Sequence, residues 1–248
     1  MRAVPDSFSE ALVAGERPPI DVEEARRQHD DYRATLIDAG YAVEVLSADE
    51  AHPDCPFIED TAVILDDTIL ITRPGAESRR GEVGPVAEAL GAHRAVATIV
   101  EPATIDGGDV MRMGNKLFVG RSERTNQDGI NQLTQISTLL GLTVRPIHMT
   151  GALHLKSAVL PLDDETILLA VDHVDPDAFG EYRIVPMAAG EQHLASVLPL
   201  ANGTVMATAS APETIASLEL AGYKIIPIDI SQFQAADGGL TCLSILLN

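Results

Sequence analysis

The sequence predicts an α/β fold, because short apolar stretches rich in β-branched residues alternate with helical segments of a few turns. The chain has 248 residues, of which 46% are hydrophobic and 22% charged, and this is enough to bury a sizeable core. No linker rich in Gly, Ser or Pro, no evident repeat and no shift in composition interrupts it. We therefore predict a single domain that spans residues 1–248.

The first half of the chain begins with a helix and a hairpin. Asp21 is a suitable N-cap for a helix that runs to about Ala39, and Gly40 is a suitable residue to end it. Apolar β-forming residues flank a predicted Asp66-Asp67 turn, so we expect a hairpin over residues 63–72. The elements predicted next are a helix near residues 83–90 and strands near residues 95–100 and 116–119.

The second half continues the alternation of helices and strands. The predicted elements are a helix over residues 126–140, a strand over residues 143–147 and a hairpin that joins residues 157–162 to residues 166–171. Ser210 is the predicted cap of a further helix, with Pro212 in its first turn and its end at Gly222. We expect the last strands at residues 225–228 and in the apolar residues after Cys242.

Composition argues against several classes of protein. The net charge is −20, whereas a nucleic-acid binder needs clustered Lys and Arg, so we expect no nucleic-acid partner. Either a small cationic ligand or a solubilising acidic surface accounts for this charge. No stretch is long and apolar enough for a membrane span, and no secretory signal, dinucleotide motif or P-loop occurs. Two cysteines in this context predict reduced thiols and a cytoplasmic location, while the sequence is silent on oligomeric state.

The most informative residue is Cys242, in the segment Asp-Gly-Gly-Leu-Thr-Cys. Gly238 and Gly239 allow a tight turn, which can present the following residues at the mouth of a pocket. A lone thiol with a distant histidine is typical of a nucleophile whose partners meet only in the fold. The alternative is a buried cysteine that acts as a small hydrophobic residue.

Two groups of charged residues are candidates for ligand binding. Asp54, Glu59 and Asp60 are clustered, and carboxylates bind a guanidinium group through paired hydrogen bonds. We expect Glu59 and Asp60 at a strand end, where both reach one cavity. Arg79 and Arg124 lie in arginine-rich segments and are suited to bind a carboxylate. The alternatives are a solvated acidic loop and surface ion pairs, and no histidine spacing typical of a zinc site is present.

A candidate acid–base pair comes from two further segments. Asp106 begins Asp-Gly-Gly-Asp-Val, whose glycines predict a sharp turn that aims a carboxylate at a site or at a histidine. His154 lies between two leucines just before a predicted strand, which is the best setting for acid–base chemistry among the seven histidines. An ordinary Asp-Gly turn and a core histidine are the alternatives.

Together these segments resemble the dimethylarginine dimethylaminohydrolase family. The matching segments, in the family's order, are Pro-Asp-Cys-Pro-Phe-Ile-Glu-Asp, Thr-Arg-Pro-Gly-Ala-x-Ser-Arg-Arg, Asp-Gly-Gly-Asp-Val, Arg-Thr-Asn-Gln, Leu-His-Leu-Lys-Ser and Leu-Thr-Cys-x-Ser. The resemblance runs from residue 2 to residue 248. It implies the pentein fold, an α/β propeller of five pseudo-symmetric ββαβ units around a polar channel, which the alternation of elements alone does not predict.

The resemblance implies hydrolysis of Nω-methylated arginine to citrulline and an amine, with no metal and no cofactor. It implies that Cys242 is the nucleophile that attacks the guanidinium carbon and that His154 protonates the departing amine and then activates water. Asp106 matches the acid that orients the histidine. This chemistry is physically reasonable, because a thiolate attacks where a thiol does not and an amine leaves poorly unless it is protonated.

The same resemblance implies which residues bind the substrate. It implies that Glu59 and Asp60 bind the guanidinium group of the substrate and that Arg79 and Arg124 bind its carboxylate. The remaining contacts come from the acid Asp54 and from the backbone at Ala236 and Asp237. Leu12 matches a lid that closes over the site.

The chain departs from the family's pattern at two places. Family members usually have a β-strand before the Arg-Ala-x-Pro segment, whereas this chain starts at Met1-Arg2. We therefore expect either a natural start further upstream or an incomplete first propeller unit. Gly239 stands where the family often has a larger apolar residue, so the turn that carries the nucleophile is expected to be looser.

Two other functions stay open at this point. An arginine deiminase would release ammonia, but deiminases usually have an inserted helical module and an aspartate soon after the histidine, where this chain has Lys156. A catalytically silent pentein would bind arginine-like ligands as a sensor, since fold and residues do not measure rate. The identity of the product separates these functions.

Overall fold

Twelve short strands form four three-stranded sheets in a computed structural model that describes residues 1–247. Asn248, the last residue of the predicted domain, lies outside the described residues. In each sheet the first two strands are antiparallel and the third is parallel to the second. A hairpin followed by a parallel crossover is thus repeated four times along the chain, which confirms the predicted α/β class.

The four sheets follow one another along the sequence. The first contains β1 (Ala62–Leu65), β2 (Thr68–Ile71) and β3 (Ala95–Thr98), and the second contains β4 (Val110–Met113), β5 (Lys116–Gly120) and β6 (Thr143–Ile147). The third contains β7 (Val159–Pro161), β8 (Thr166–Leu169) and β9 (Arg183–Pro186), and the fourth contains β10 (Val197–Pro199), β11 (Thr204–Thr208) and β12 (Lys224–Ile228).

The predicted N-terminal helix α1 (Val22–Asp38) precedes the sheets. Asp21 Oδ1 accepts the backbone N–H groups of the second and third helical residues at 3.0 and 3.1 Å, so it satisfies two donors that a helix start leaves unpaired. Arg2 and Leu46, on either side of α1, form a single parallel bridge. Among residues 1–247, helix α1 and this single bridge take the place of the fifth expected ββαβ unit.

Helices connect the second and third strands in three of the four sheets. They are α2 (Val83–Gly91), α3 (Gln127–Leu139) and α4 (Pro212–Leu220), and a short α5 (Ser231–Gln234) follows the last strand. In the third sheet a 3-10 helix, Pro176–Phe179, takes this place, so the expected ββαβ pattern is wrong there. Its Phe179 is fully buried against Phe118, with ring centroids 4.9 Å apart, so one aromatic ring anchors this shorter crossover.

Two local expectations from the sequence are wrong. Ser210 does not cap α4, because its hydroxyl pairs with Gln234 at 2.9 Å. The carboxylate of Glu191 instead accepts the N–H groups of the second and third residues of α4, at 2.9 and 2.7 Å. The apolar residues after Cys242 form no strand among residues 1–247, and a 3-10 turn, Thr241–Leu243, lies at this end of the chain.

Short 3-10 turns determine where the site lies. They immediately precede three of the four first strands, with Ile58–Thr61 before β1, Gly107–Asp109 before β4 and Leu155–Ser157 just before β7. These turns and the turn at Thr241–Leu243 contact one another in a chain. The arrangement of the sheets therefore brings residues from distant parts of the sequence to one centre.

The middle strands are the most deeply buried parts of the sheets. All four residues of β8 are buried, as expected for a strand that is covered on both faces. Polar residues at the centre are thus surrounded by apolar strands, which lowers the local dielectric and strengthens electrostatic interactions there. Among residues 1–247, no helix is long and apolar enough to cross a membrane.

Candidate active site

Cys242 lies in a 3-10 turn with its side chain partly exposed. Its Sγ accepts the backbone N–H of Gly239 at 3.3 Å. Both glycines before it are in close contact with neighbours, since a Cβ on Gly238 would lie 2.2 Å from Phe57 and one on Gly239 would lie 2.8 Å from Ser196 Oγ. Gly239 is therefore closely packed, which is the opposite of the looser turn expected from its size.

His154 and Asp106 form a buried pair. His154 Nε2 lies 3.1 Å from Asp106 Oδ2, and the two residues are 5% and 0% exposed. Each residue comes directly before one of the 3-10 turns described above. Asp106 also accepts the N–H of Gly75 at 2.8 Å, and its own N–H donates to Thr125 Oγ1 at 3.2 Å. Because the carboxylate is fixed in this way, it can orient the imidazole ring.

Electrostatic interactions keep His154 protonated. Burial alone would lower its pKa, but the carboxylate of Asp60, the hydrogen bond to Asp106 and the charge of Asp109 raise the pKa to about 9. His154 Nδ1 lies 3.9 Å from Asp60 Oδ1. The imidazolium therefore holds a proton at neutral pH, which a general acid requires.

Asp60 and Arg79 form a second buried pair, with 2.5 Å between Nη1 and Oδ2. Burial acts to raise the pKa of Asp60, but the charges of His154 and Arg79 lower it to about 2. Arg79 also donates to Glu82 and to the carbonyl of Phe57, both at 2.9 Å. The buried carboxylates of Asp60 and Glu82 offset the charge of Arg79. Arg79 therefore positions Asp60 and presents little positive charge to a ligand.

Arg124 differs from Arg79, because its charge stays available. It is half-buried, and with the described residues its guanidinium makes no hydrogen bond or ion pair. Its backbone is held in place, since its N–H donates to Ser122 Oγ at 3.0 Å and a Cβ on Gly75 would lie 2.4 Å from its carbonyl oxygen. Its charge acts against the burial that raises the pKa of the carboxyl group of Asp54, but no described carboxylate pairs with the guanidinium, which is therefore available to bind a carboxylate ligand.

Glu59 is held by two side chains that the sequence analysis left unassigned. Lys156 Nζ lies 2.5 Å from its Oε1, and Thr241 Oγ1 donates to its Oε2 at 2.8 Å. Thr241 directly precedes Cys242, so Glu59 is connected to the turn that carries the nucleophile. The available signal was the charge of Lys156 in an otherwise apolar segment beside His154.

Asp109 is a third residue of the site that was not predicted from the sequence. It is fully buried, and its Oδ1 accepts the N–H of Leu155, the residue after His154, at 3.0 Å. Its Oδ2 accepts the hydroxyl of Ser122 at 2.6 Å, and Ser122 in turn binds the backbone N–H of Arg124. One carboxylate thus positions both the histidine loop and the arginine loop. The available signal was a second aspartate directly before the apolar strand β4.

The thiol of Cys242 has an unusually high pKa. Burial by the surrounding atoms raises it, and the carboxylates of Glu59 and Asp60 raise it further. In the ligand-free site the group is therefore a thiol at neutral pH. A cation bound beside these carboxylates would offset their charge and favour the thiolate.

The segment around Leu12 covers one side of the site. The backbone N–H of Leu12 donates to Asp54 at 3.0 Å, and that of Ala14 donates to Asp237 at 2.6 Å. Arg17 holds the segment in shape by donating to two of its carbonyl groups. Asp54 is buried, which raises its pKa, and its carboxylate is used here by the backbone of the covering segment.

Two adjoining cavities meet at Cys242 and His154, with volumes of about 30 and 260 Å³. Most of the predicted substrate-binding residues line the smaller cavity, namely Leu12, Asp54, Asp60, Arg79, Arg124, Ala236 and Asp237. Glu59 lines the larger cavity, and Asp106 lies behind His154. A third cavity of about 390 Å³, beside α1 and α2, contains none of the predicted site residues. The predicted residues thus lie together at one centre.

Three donor groups at this centre are close enough to hold a metal ion. One ligand atom each from Asp60, Asp106 and His154 lie within 4.8 Å of one another. These groups also pair with each other and with Arg79, an arrangement suited to holding protons. The expectation that the site needs no metal and no cofactor stays a prediction.

Comparison with known proteins identifies the family. Residues 2–245 match the family described as N,N dimethylarginine dimethylhydrolase, eukaryotic. The chain belongs to the dimethylarginine dimethylaminohydrolase family. It is 39% identical to N(G),N(G)-dimethylarginine dimethylaminohydrolase of Streptomyces coelicolor, over 97% of this chain and 93% of that protein. It is 31% identical to the Pseudomonas aeruginosa enzyme of the same name, over 96% and 94%.

Solved structures of dimethylarginine dimethylaminohydrolase share the fold. The P. aeruginosa enzyme, as a Cys-to-Ser variant complexed with citrulline, has a TM-score of 0.93 at 30% identity over 98% of this chain and 95% of that chain. A His-to-Gly variant, as an adduct with S-methyl-L-thiocitrulline, has the same TM-score and identity over 98% and 96%. The N-terminal domain of a cyanobacterial arginine dihydrolase has a TM-score of 0.85 over 99% and 95%, and at 17% identity it shows the fold alone. The predicted pentein fold is confirmed.

Proposed function

We propose that this chain hydrolyses Nω-methylated arginines, namely asymmetric dimethylarginine and monomethylarginine, to citrulline and dimethylamine or methylamine. The observation that carries the proposal is that Cys242 and a protonated His154 line the same two cavities. A nucleophilic thiol and a proton donor are the two groups that cleavage of a guanidine C–N bond requires. The names of the relatives and the citrulline bound to the P. aeruginosa protein support the same substrate class.

The first half of the reaction begins when the substrate cation binds beside Glu59 and Asp60. Its charge lowers the raised pKa of Cys242, so the thiol releases its proton to solvent, and the thiolate attacks the guanidinium carbon to form an S–C bond. The C–N bond to the methylated nitrogen then breaks, and His154 donates its proton to the departing amine. This step leaves a covalent thiouronium adduct on Cys242.

The second half returns the enzyme to its starting state. The neutral His154 accepts a proton from water, and the resulting hydroxide attacks the carbon of the adduct. The S–C bond breaks and citrulline leaves, while the added hydroxyl becomes the carbonyl of citrulline and its proton restores the thiol of Cys242. Asp106 keeps the ring of His154 in one orientation during both proton transfers.

The amino-acid end of the substrate lies in the smaller cavity. Arg124 binds the carboxylate through its available charge, and Arg79 lies beside it. The backbone near Ala236 and Asp237 contacts the α-amino group, while Asp54 and Leu12 close the cavity over it by their mutual hydrogen bond. We place the enzyme in the cytoplasm, because catalysis by Cys242 requires a reduced thiol and both cysteines are unpaired.

Replacement of the nucleophile tests the proposal. We predict that Cys242→Ser lowers turnover of asymmetric dimethylarginine by at least about 10³-fold, because a hydroxyl is a much weaker nucleophile here. Binding of the substrate should change little, since the carboxylates and Arg124 remain. Citrulline and dimethylamine release measure turnover, and calorimetry with the variant measures binding.

The matched control is Cys55→Ala, because the fully buried Cys55 lines neither cavity, its Sγ faces the carbonyl groups of Ala3 and Asp49, and burial raises its pKa to about 11. This variant should keep the turnover of the unchanged chain. Activity retained by Cys242→Ser contradicts the nucleophile assignment. Ammonia from arginine in place of dimethylamine from the methylated substrate would make the chain a deiminase. No product from either substrate, in a folded and reduced sample, would leave a silent arginine-binding protein.

A further inference from the structure

The larger cavity beside Cys242 has more room than two methyl groups need. Its volume is about 260 Å³, compared with about 30 Å³ for the smaller cavity. It shares part of its wall with the smaller cavity, and the shared residues are Leu153, His154, Asp237, Gly238 and Cys242. Because the amino-acid end is proposed to lie in the smaller cavity, the larger one extends from the reacting carbon toward the opposite end of the substrate.

Part of the wall that lies beyond Cys242 is apolar. Ala152, Leu194 and Ala195 contribute this surface. The amide groups of two glutamines nearby are already used, since Gln192 donates to Asp172 at 2.6 Å and Gln234 donates to the carbonyl of Leu194 at 2.8 Å. This part of the wall therefore presents few unpaired donors.

Several charged and titratable groups at the cavity are also paired. Glu59 is paired with Lys156, and Asp237 accepts the N–H of Ala14. His173 has its Nδ1 2.8 Å from the carbonyl of Thr150, and His193 is exposed to solvent. A cavity whose carboxylates are paired suits an uncharged alkyl chain better than a second cation.

We propose that this cavity receives the substituent on the leaving nitrogen, and that the chain therefore hydrolyses arginines whose Nω-alkyl group is longer than methyl. Nω-propyl-L-arginine represents this class. The inference rests on the proposed function, since it uses the same nucleophile and acid. The S–C bond to Cys242 forms, the C–N bond breaks and propylamine leaves with the proton of His154. Water then supplies the oxygen of citrulline and restores the thiol.

The test compares kcat/KM for Nω-propyl-L-arginine and Nω-methyl-L-arginine by citrulline release. The unchanged chain should hydrolyse the propyl substrate within about tenfold of the methyl one, whereas a pocket fitted to methyl would discriminate against the two extra methylenes by about 10²-fold or more. Ala152→Leu adds bulk to the half-buried wall of the cavity. It should lower kcat/KM for the propyl substrate about tenfold more than for the methyl substrate.

Two further variants make the result decisive. Ala89→Leu is the matched control, because the same change is made in the wall of the separate cavity beside α1 and α2. It should leave the ratio of the two substrates unchanged. His193→Trp adds bulk at an exposed position of the larger cavity, where folding is not at risk, and it should reduce propyl turnover selectively.

The outcomes separate the inference from the proposed function. Hydrolysis of the methyl substrate without hydrolysis of the propyl substrate overturns the inference and leaves the proposed function in place. Hydrolysis of neither substrate overturns both. An unchanged ratio of the two substrates in both Ala152→Leu and His193→Trp also overturns the role given to this cavity.

Discussion

One carboxylate has the same electrostatic effect on the two groups that we propose as catalysts. Asp60 raises the pKa of His154 and also that of Cys242. The consequences differ, because the histidine keeps the proton that it must donate while the cysteine keeps a proton that it must lose. The ligand-free site thus holds its acid ready and its nucleophile inactive. A bound cation lowers the raised pKa of Cys242, so the positive charge of the substrate is part of the mechanism.

Glu59→Gln tests this balance at a single residue. Removing the carboxylate should lower the pKa of Cys242, because Glu59 is the largest charge that raises it after burial. Each unit by which the pKa falls gives up to about tenfold more thiolate at pH 8, so iodoacetamide should alkylate Cys242 faster in the variant. Turnover should fall, since a proposed guanidinium ligand is lost.

Mass spectrometry of the Cys242 peptide measures the alkylation rate separately from that of Cys55. Glu77→Gln is the control, because Glu77 lies in a turn near the site in sequence but carries an exposed carboxylate. It should leave the alkylation rate unchanged. Equal or slower alkylation of Glu59→Gln would show that Glu59 does not control the thiol.

At the scale of secondary-structure elements, the site residues occupy equivalent positions in different units. Asp60 lies in the 3-10 turn before β1, and Asp106 and His154 directly precede the turns before β4 and β7. Cys242 lies in the last turn of this kind. Because the sheets are arranged around a centre, these equivalent positions meet although they are far apart in sequence. Three of the four sheets thus contribute a group from the start of their first strand, and the C-terminal turn, which precedes no strand among residues 1–247, contributes Cys242.

Helix α1 is connected to the last of these turns by a buried hydrogen bond. The hydroxyl groups of Tyr32 and Ser244 lie 2.8 Å apart, and Ser244 lies two residues after Cys242 in the sequence. We predict that Tyr32→Phe lowers the free energy of unfolding by about 1 to 2 kcal/mol, because it leaves the buried Ser244 hydroxyl without this partner.

Urea denaturation measures this loss, and Tyr41→Phe is its control. The hydroxyl of Tyr41 accepts the N–H of Ala201 at 3.0 Å in an exposed setting, where water replaces the lost bond. The control should therefore lose less than half as much stability. Equal losses in the two variants would contradict the importance of burial at Tyr32.

The sequence predicted the helices and strands better than the turns between them. Strand β8 is recognisable as a short continuous apolar run with β-branched residues, and helix α3 is recognisable because its apolar residues repeat with the period of a helix. A 3-10 turn of three or four residues has no period, so the positions of Asp60 and His154 relative to such turns were not predictable. The cap of α4 was also missed, since the N–H groups at its start are satisfied by Glu191, which lies about 20 residues away in sequence.

At the scale of the whole molecule, the arrangement of the units was not predictable from local patterns. Each sheet has three short strands, and the order of the sheets around a centre depends on contacts between residues far apart in sequence. The resemblance to a family supplied this arrangement. The candidate residues Cys242 and His154 were recognisable by type, whereas Lys156 and Asp109 were missed because a charge in sequence does not reveal its burial.

Two whole-molecule effects oppose each other when the pH falls. Neutralising carboxylates in a chain of net charge −20 relieves repulsion. Protonating His29 has the opposite effect, since this residue of α1 is only 5% exposed and its Nε2 has no hydrogen-bond partner among the described residues. Burial, followed by the charge of the N-terminal amino group, lowers the pKa of His29 to about 4.

We predict that His29 makes the chain less stable in mild acid. The unfolded chain binds a proton at His29 near pH 6.5 while the folded chain does not until about pH 4, so stability is lost as the pH falls through this window. Between pH 6.5 and 4.5 the loss from this residue is about 2 to 3 kcal/mol. His29→Gln cannot ionise, so its stability relative to the unchanged chain should rise by this amount over the same range, as measured by urea denaturation at each pH.

His93→Gln, at an exposed histidine, carries the same change in composition and should follow the unchanged chain. A constant difference between His29→Gln and the unchanged chain would mean that His29 binds its proton equally well in both states, and that the acid sensitivity lies in the carboxylates.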